Sequence, residues 1–346
     1  MNQLVRRYLF FVSKPYSFAI LEPLQHYLEA ETRGTVRWFL ASTARDFEAP
    51  GEILATPAEV RDYQPEAVLA PGNVVPPSWP GLKVQIFHGL DDEVKGFYNI
   101  NGLFDLYCTH GPAMTNRYNS LASRYRYFLV RETGWPKLDP LAHPQNSQLM
   151  RRELGLDPQQ PVLLYAPTFP RKYTSAPELL NSIARLSGGP YFWLVKFHPL
   201  MDEEIVDQYR VLCGENFLVV DDLNILPYMQ AADILITDTS SVAYEFLLLD
   251  RPLITYRTLA RQDKGIDLTQ PSELEQAIER CMRQPQEFSA PRAAYLSELH
   301  PYTDGESSSR VVSAIEEVLD QDLHQQLHRK PLNLIRRLKV HRMLAT

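Results

Sequence analysis

The sequence predicts two doubly wound α/β domains. Three observations predict it. Short apolar, β-branched runs alternate with helix-like stretches along most of the chain; the alternation falls into two series; and a Pro-rich polar segment, 137–161, separates them. At 346 residues the chain is too long for one ordinary core and comfortable for two. It is 45% hydrophobic and 22% charged, with no apolar run near the ~20 residues of a membrane span, so it reads as a soluble globular protein.

The elements follow in order. The opening "MNQLVRRYLFFVSKPYSF" pairs a basic patch with a short apolar run. Lys14 and Pro15 break that run early and no small-residue cleavage site follows, so 8–13 is a first strand rather than a secretion signal. A helical stretch at 18–31 comes next, then strands at 35–40, 67–72, 83–89 and 103–111, and 126–136 closes the first half. The second series runs strand 162–169, helix 175–187, strand 191–199, helix 201–213, strand 217–222, helix 224–232, strand 234–237, helix 242–249 and strand 252–256. Helices at 271–284 and 306–323 end it. The expected organisation is a first domain over 1–139, a linker with a short helix over 140–160, a second domain over 161–323 and a basic tail over 324–346. Ligands of such sheets sit outside the carboxyl ends of the strands, so the residues just after each strand are the candidates for chemistry.

Charge and cysteine usage narrow the function. The net charge of −7 gives no reason to bind nucleic acid. The three cysteines, Cys108, Cys213 and Cys281, form neither a metal spacing nor a disulfide framework, which points to a reducing cytoplasm. The tail departs from the average: Arg329, Lys330, Arg336, Arg337, Lys339 and Arg342 interleave with Leu332, Leu334, Ile335, Leu338 and Val340, without an acid. Such a segment suits an anionic bilayer surface, at about 1 kcal/mol per basic residue. A solvated final helix is the plainer alternative.

The richest local signal is Asp238-Thr239-Ser240-Ser241, between the apolar runs 234–237 and 242–249. One N-cap needs one such residue; four in succession suit a phosphate, held by hydroxyls and helix N–H groups. Glu245 lies one turn on, placed to accept from a ribose or simply to sit as an exposed helix charge. In "VKFHPL", Lys196 and His198 stand two apart at a strand end, which in a continuing strand puts both on one side of the sheet. Both donate to phosphate oxygens. "VQIFHGL" repeats the pattern with His88, a general base by type, and Gly89, which admits a close approach; His110 in "CTHG" is its rival. Thr168 and Arg171 follow the strand at "YAPTFPRKY". The Asp-x-Asp of Asp320 and Asp322 sits in a late helix, away from strand ends, so no metal is expected.

Taken in order, "FHG", "GWPKLD", "LLYAPTF", "VKFHP", "ITDTSSVAYEFLLLDRPLITY" and "YTDGESSSR" resemble the CDP-glycerol glycerophosphotransferase family, the teichoic-acid primases and polymerases, over about residues 83–312. The resemblance implies a GT-B fold, two Rossmann-like domains with the active site in the cleft. It also implies transfer of glycerol phosphate or a similar polyol phosphate from a CDP-activated donor to a hydroxyl of a lipid-linked or glycan acceptor, releasing CMP, with no cofactor. By that likeness His88 is the base on the acceptor hydroxyl, with Gly89 beside it; His110 joins the acceptor-side candidates on its strand-end position alone. His198 stands near the donor phosphates. Thr239, Ser240, Ser241, Glu245, Thr168, Arg171, Lys196, Ser308 and Arg310 bind the donor. The implied location is the cytoplasmic membrane face, which gives the tail a role.

Two departures stand out. Where the family's His-Gly continues with Thr-Pro and a basic pair, this chain reads Leu90-Asp91-Asp92-Glu93-Val94-Lys95, acidic where a polyanionic acceptor passes. The chain also lacks the extra N-terminal region of the long polymerases, so a single-addition or short-chain transferase is expected. Two other functions fit the same alternation: a GT-B glycosyltransferase or epimerase using a UDP-sugar, and a non-catalytic scaffold of a membrane-associated polysaccharide complex.

Overall fold

The computed structural model describes residues 5–90, 98–143 and 146–345. The acidic run from Asp91 to Lys95 lies outside the described residues. The chain divides into two compact units, Met1–Pro140 with Ser297–Thr346, and Leu141–Leu296.

The first unit holds a six-stranded parallel sheet in the order β2-β1-β3-β4-β5-β6. Its strands are β1 (Arg6–Val12), β2 (Gly34–Leu40), β3 (Ala67–Ala70), β4 (Leu82–Gln85), β5 (Leu106–Thr109) and β6 (Leu129–Glu132). Helices α1 (Phe18–Ala30), α2 (Pro57–Tyr63) and α3 (Pro112–Tyr125) connect them. β3, β4 and β5 are buried at every position, as strands covered on both faces must be. Aromatic contacts brace the core, among them Phe10 edge-on to Trp38 at 5.1 Å and Phe39 edge-on to Trp79 at 4.7 Å.

The second unit opens with α4 (Asn146–Glu153) and carries β7 (Val162–Tyr165), α5 (Ala176–Leu186), β8 (Phe192–Lys196), α6 (Glu203–Arg210), β9 (Phe217–Val220) and α7 (Leu226–Ala231). β10 (Ile234–Thr237), α8 (Val242–Phe246), β11 (Leu253–Tyr256), β12 (Ile266–Leu268) and α9 (Leu274–Arg283) follow. Its sheet, also all parallel, runs β12-β11-β10-β7-β8-β9. Relative to chain order this is the dinucleotide-fold arrangement, and the direction of winding reverses between β7 and β10. Ligands of open α/β sheets bind at that reversal, so topology alone selects the loops after β7 and β10.

Helix α10 (Ser289–Leu299) then leads into α11 (Ser307–Asp320) and α12 (Leu334–Ala345). Here the structure differs from the expected boundary at 323. From Ser297 the chain belongs to the first unit. α11 buries Val311, Val312, Ile315 and Val318, and its Glu317 takes both arms of the Arg131 guanidinium at 2.9 Å. The return is fastened further by Trp135 N–H donating to His300 Nε2 at 2.9 Å and the Tyr302 hydroxyl donating to Glu132 at 2.9 Å. Gly134, at φ +77°, lies where a Cβ would come within 2.5 Å of Ser307 Oγ. The expected linker is likewise no free connection. Arg151 of α4 donates to the Ala231 carbonyl at 2.9 Å and pairs with Asp233 at 2.6 Å, inside the second unit.

Candidate functional site

β10 ends at Thr237, and the next side chain, Asp238, is 1% exposed. Its carboxylate accepts from the Thr168 amide at 2.9 Å and from the Ser175 amide and hydroxyl at 2.8 and 3.0 Å. Burial pushes its pKa up, opposed by those donors. Asp238 is therefore a clamp joining the β10 loop to the β7 loop, and the small polar residues after it are what remains to face a ligand. Thr239, Ser240 and Ser241 are half-buried at the head of α8, and Thr168 is half-buried across from them. A second tie runs beneath: Thr237 Oγ1 donates to the Ala166 carbonyl at 2.6 Å.

The third strand end is joined by aromatic stacking. Phe169, next to Thr168, lies on the His198 ring with centroids 4.4 Å apart. His198 Nδ1 accepts the Leu200 amide at 3.1 Å. In the neutral ring that bond places the proton on Nε2, leaving Nε2–H as a donor. The carboxyl ends of β10, β7 and β8, adjacent in the sheet, are thus linked through Asp238 and Phe169 into one surface of hydroxyls and an imidazole N–H. Such donors suit phosphate oxygens.

Other candidates fall differently. β8 stops at Lys196, so strand alternation does not extend to His198: Lys196 is buried and His198 exposed. The exposed Arg171 pairs with Asp202, the N-cap of α6. Glu245 is buried, which removes the exposed-charge alternative.

In the first unit, His88 follows β4 and is half-buried, with Gly89 buried beside it. Phe87 before it adopts φ +60°, uncommon for a bulky residue, while its ring is buried in the core. His88 lies 5.5 Å from the ring of Tyr16, on the loop after β1. His110 is a core residue: fully buried, edge-on to Phe87 at 5.4 Å and 5.2 Å from Trp135. Burial, with His300 and His88 adding, lowers its pKa to about 3, so it stays neutral. Ser308 also departs from expectation. It and Ser307 give their amides to Asp139 at 2.8 and 2.9 Å, and the Ser308 hydroxyl donates to the same carboxylate at 2.7 Å. Arg310 pairs with Asp304 and sits 4.2 Å over the Tyr302 ring. "GWPKLD" and "YTDGESSSR" thus fasten the returning chain to the first unit.

Sequence reasoning missed Asp238 as clamp, Phe169 as the platform for His198, and Tyr16. An acid directly after a buried strand was a signal for the first; nothing in the sequence marked the other two.

The model of the family described as CDP-Glycerol:Poly(glycerophosphate) glycerophosphotransferase matches residues 105–317, well over half of the sequence. The chain belongs to that family. Among curated relatives, the teichoic acid glycerol-phosphate primase of Bacillus spizizenii is 32% identical over 170 residues, 48% of this chain and 37% of that protein. The match therefore spans well under half of the relative's length. Among solved structures, the wall teichoic acid polymerase TagF superposes with a TM-score of 0.70 at 17% identity, over 92% of this chain and 90% of that one; a variant of it soaked with CDPG gives 0.69. The UDP-GlcNAc 2-epimerase of Neisseria meningitidis, bound to UDP-GlcNAc, gives 0.60 at 12% identity, over 90% of this chain and 100% of that one. These likenesses show a GT-B-like fold. Within the glycerophosphotransferase family, this chain's Asp-Thr-Ser-Ser block stands at the switch point of the second sheet.

Proposed function

We propose that the chain transfers glycerol phosphate, or a similar polyol phosphate, from a CDP-activated donor to a hydroxyl of a lipid-linked or glycan acceptor, releasing CMP. The observation that carries this is the joined surface at β10, β7 and β8, where the Asp238 carboxylate is already occupied and the neighbouring side chains, hydroxyls and the His198 imidazole, are of types that donate to phosphate oxygens. Family membership supports it, as does the CDPG soak of TagF.

In the reaction, the acceptor oxygen attacks the phosphorus that bears the polyol. The bond from that phosphorus to the bridging oxygen breaks, and CMP leaves with the electron pair. The acceptor proton passes to the imidazole of His88, the candidate base. Thr239, Ser240, Ser241 and His198 Nε2–H hold the phosphate oxygens as charge moves toward CMP, the term on which phosphoryl transfer chiefly depends. Lys196 adds a cation from the end of β8, and Glu245 is the candidate partner for the ribose.

The test is incubation with a panel of CDP-alcohols and UDP-sugars plus lipid extract, followed by mass analysis. CMP and a product heavier by one polyol phosphate are expected from a CDP-alcohol. No CMP from any CDP-alcohol, with turnover of a UDP-sugar, overturns the proposal in favour of a glycosyltransferase or epimerase.

A further inference from the structure

We propose that the loop after β1, residues 13–17, is a sugar-phosphate subsite for the acceptor, with Tyr16 as the platform for a sugar ring and Lys14 as the cation for its phosphate. This rests on the transfer reading, in which His88 takes the acceptor proton, and adds which residues hold the acceptor and of what class it is.

The first sheet has a reversal of its own. Its order, β2-β1-β3-β4-β5-β6, changes the direction of winding between β1 and β3. Ligands of open α/β sheets bind at such a point, outside the carboxyl ends of the strands. The loops after β1 and β3 meet there: a Cβ on Gly72 would come 3.4 Å from Ser13 Oγ. The loop after β3 is pinned from below by Asn101, 3% exposed, whose Nδ2 donates to the Asn73 carbonyl at 2.9 Å. The loop after β4 joins them through the Tyr16 and His88 rings, whose centroids are 5.5 Å apart and whose planes differ by 32°. Directly before His88, Phe87 holds φ +60° with its side chain fully buried. Backbone strain of this kind persists where the surroundings over-determine it, and it clusters at functional sites. The candidate base therefore stands beside the reversal rather than apart from it.

The occupant follows from the side chains. Tyr16 keeps 39% of its surface exposed while its ring lies beside His88, which leaves part of an aromatic face to a ligand whose hydroxyl meets the imidazole. The C–H face of a sugar ring suits that surface, because each covers the apolar side of the other from water. A three-carbon polyol phosphate has no such face. Lys14, two residues earlier, is exposed, and no acid among the described residues pairs with it. Its ammonium suits a phosphate on the same ligand. None of these residues belongs to the donor surface of the second unit.

The experiment reads binding to the full chain by saturation-transfer NMR, with glucose 1-phosphate and glycerol 3-phosphate as probes. The wild type is expected to bind glucose 1-phosphate at least about fivefold more tightly. Tyr16→Ala should erase that preference, as should Tyr16→Leu, which keeps apolar bulk beside His88 without the aromatic face; Tyr16→Phe should keep it. Lys14→Gln should weaken both probes about threefold at low salt, an effect that high salt removes. Ser240→Ala with His198→Ala, on the donor surface, should leave both probes unchanged. CDP-glycerol titrated into the wild type tests the transfer reading separately: its failure to bind refutes that reading, while the sugar-phosphate results decide the subsite by themselves. The proposal is overturned if the wild type binds the two probes alike, if Tyr16→Ala and Tyr16→Leu keep the preference, or if Lys14→Gln changes neither probe. Loss of both probes in Ser240→Ala with His198→Ala overturns it in favour of phosphate binding at the donor surface.

Discussion

Replacing Asp238 by Asn tests the clamp at the donor surface. The carboxylate accepts from the Thr168 amide and from the Ser175 amide and hydroxyl while 1% exposed. Asn offers one acceptor oxygen. It can keep the Ser175 donors or the Thr168 amide, and its NH2 group then confronts an N–H that has lost its acceptor. Leaving a buried donor unsatisfied costs about 1–3 kcal/mol, and bonds to a charged group are worth about 1.5–3 kcal/mol. The second unit should lose roughly 2–4 kcal/mol, or about 5–15 °C in melting temperature for a domain of this size. Ser175→Ala, which removes the hydroxyl bond to Asp238 and also the 2.8 Å bond with the buried Tyr165 hydroxyl, should cost about 2 kcal/mol. Freeing the Thr168 loop should also weaken CDP-glycerol binding about tenfold or more. Circular dichroism melts and calorimetric titration read both effects. If Asp238→Asn melts within a degree of wild type and binds donor unchanged, the clamp is not what orders the surface.

Further outcomes follow from the same geometry. His88→Ala should lower turnover about 10²–10⁴-fold while leaving donor affinity intact. Because His198 keeps its proton on Nε2, His198→Gln, which retains a donor there, should preserve more activity than His198→Ala, for which a loss of about 10²–10³-fold is expected. His110→Ala should destabilise by about 2–4 kcal/mol through the cavity it leaves, with turnover per folded molecule unchanged; a catalytic loss without a stability loss contradicts its place in the core. Burial raises the pKa of Asp139 to about 6 from 3.8, opposed by its bonds from Ser308 and Ser307. The folded state therefore binds a proton more tightly than the unfolded chain. Stability from this group is fully present below pH 3.8 and is lost as pH rises through about 6. The wild type should thus gain on the order of 2–3 kcal/mol over Asp139→Asn as pH falls across that window, and a constant difference would contradict the raised pKa.

How far the sequence could be read depends on what each segment is constrained by. Strands such as Ile234–Thr237 and Val162–Tyr165 were legible because they are short buried runs, and four successive small polar residues after one of them exceed what a helix start needs. Amphipathic helices whose pattern is less one-sided, such as α3 and α10, did not stand out, and β12 has only three residues. Membership of Ser297–Thr346 in the first unit was not legible, because it depends on pairs far apart in sequence: Asp139 with Ser307 and Ser308, Arg131 with Glu317, Trp135 with His300. The same pairs explain why Ser308 looked like a donor ligand. Serines at a helix start suit a phosphate or a carboxylate equally, and only three-dimensional proximity reveals that Asp139 is the anion present. His110 and His88 look alike in sequence, each followed by Gly at a strand end, yet one is sealed in the core and the other half-exposed.

Calorimetric titration of CDP-glycerol into four proteins tests the central claim most directly: wild type, Ser240→Ala with His198→Ala, Ser308→Ala, and His88→Ala. Binding is expected to the wild type, Ser308→Ala and His88→Ala proteins, with a loss of at least about tenfold in the first variant, which removes the two donors proposed to hold phosphate. Undiminished binding without Ser240 and His198, or a loss as large in Ser308→Ala, would place the donor somewhere other than the switch point of the second sheet.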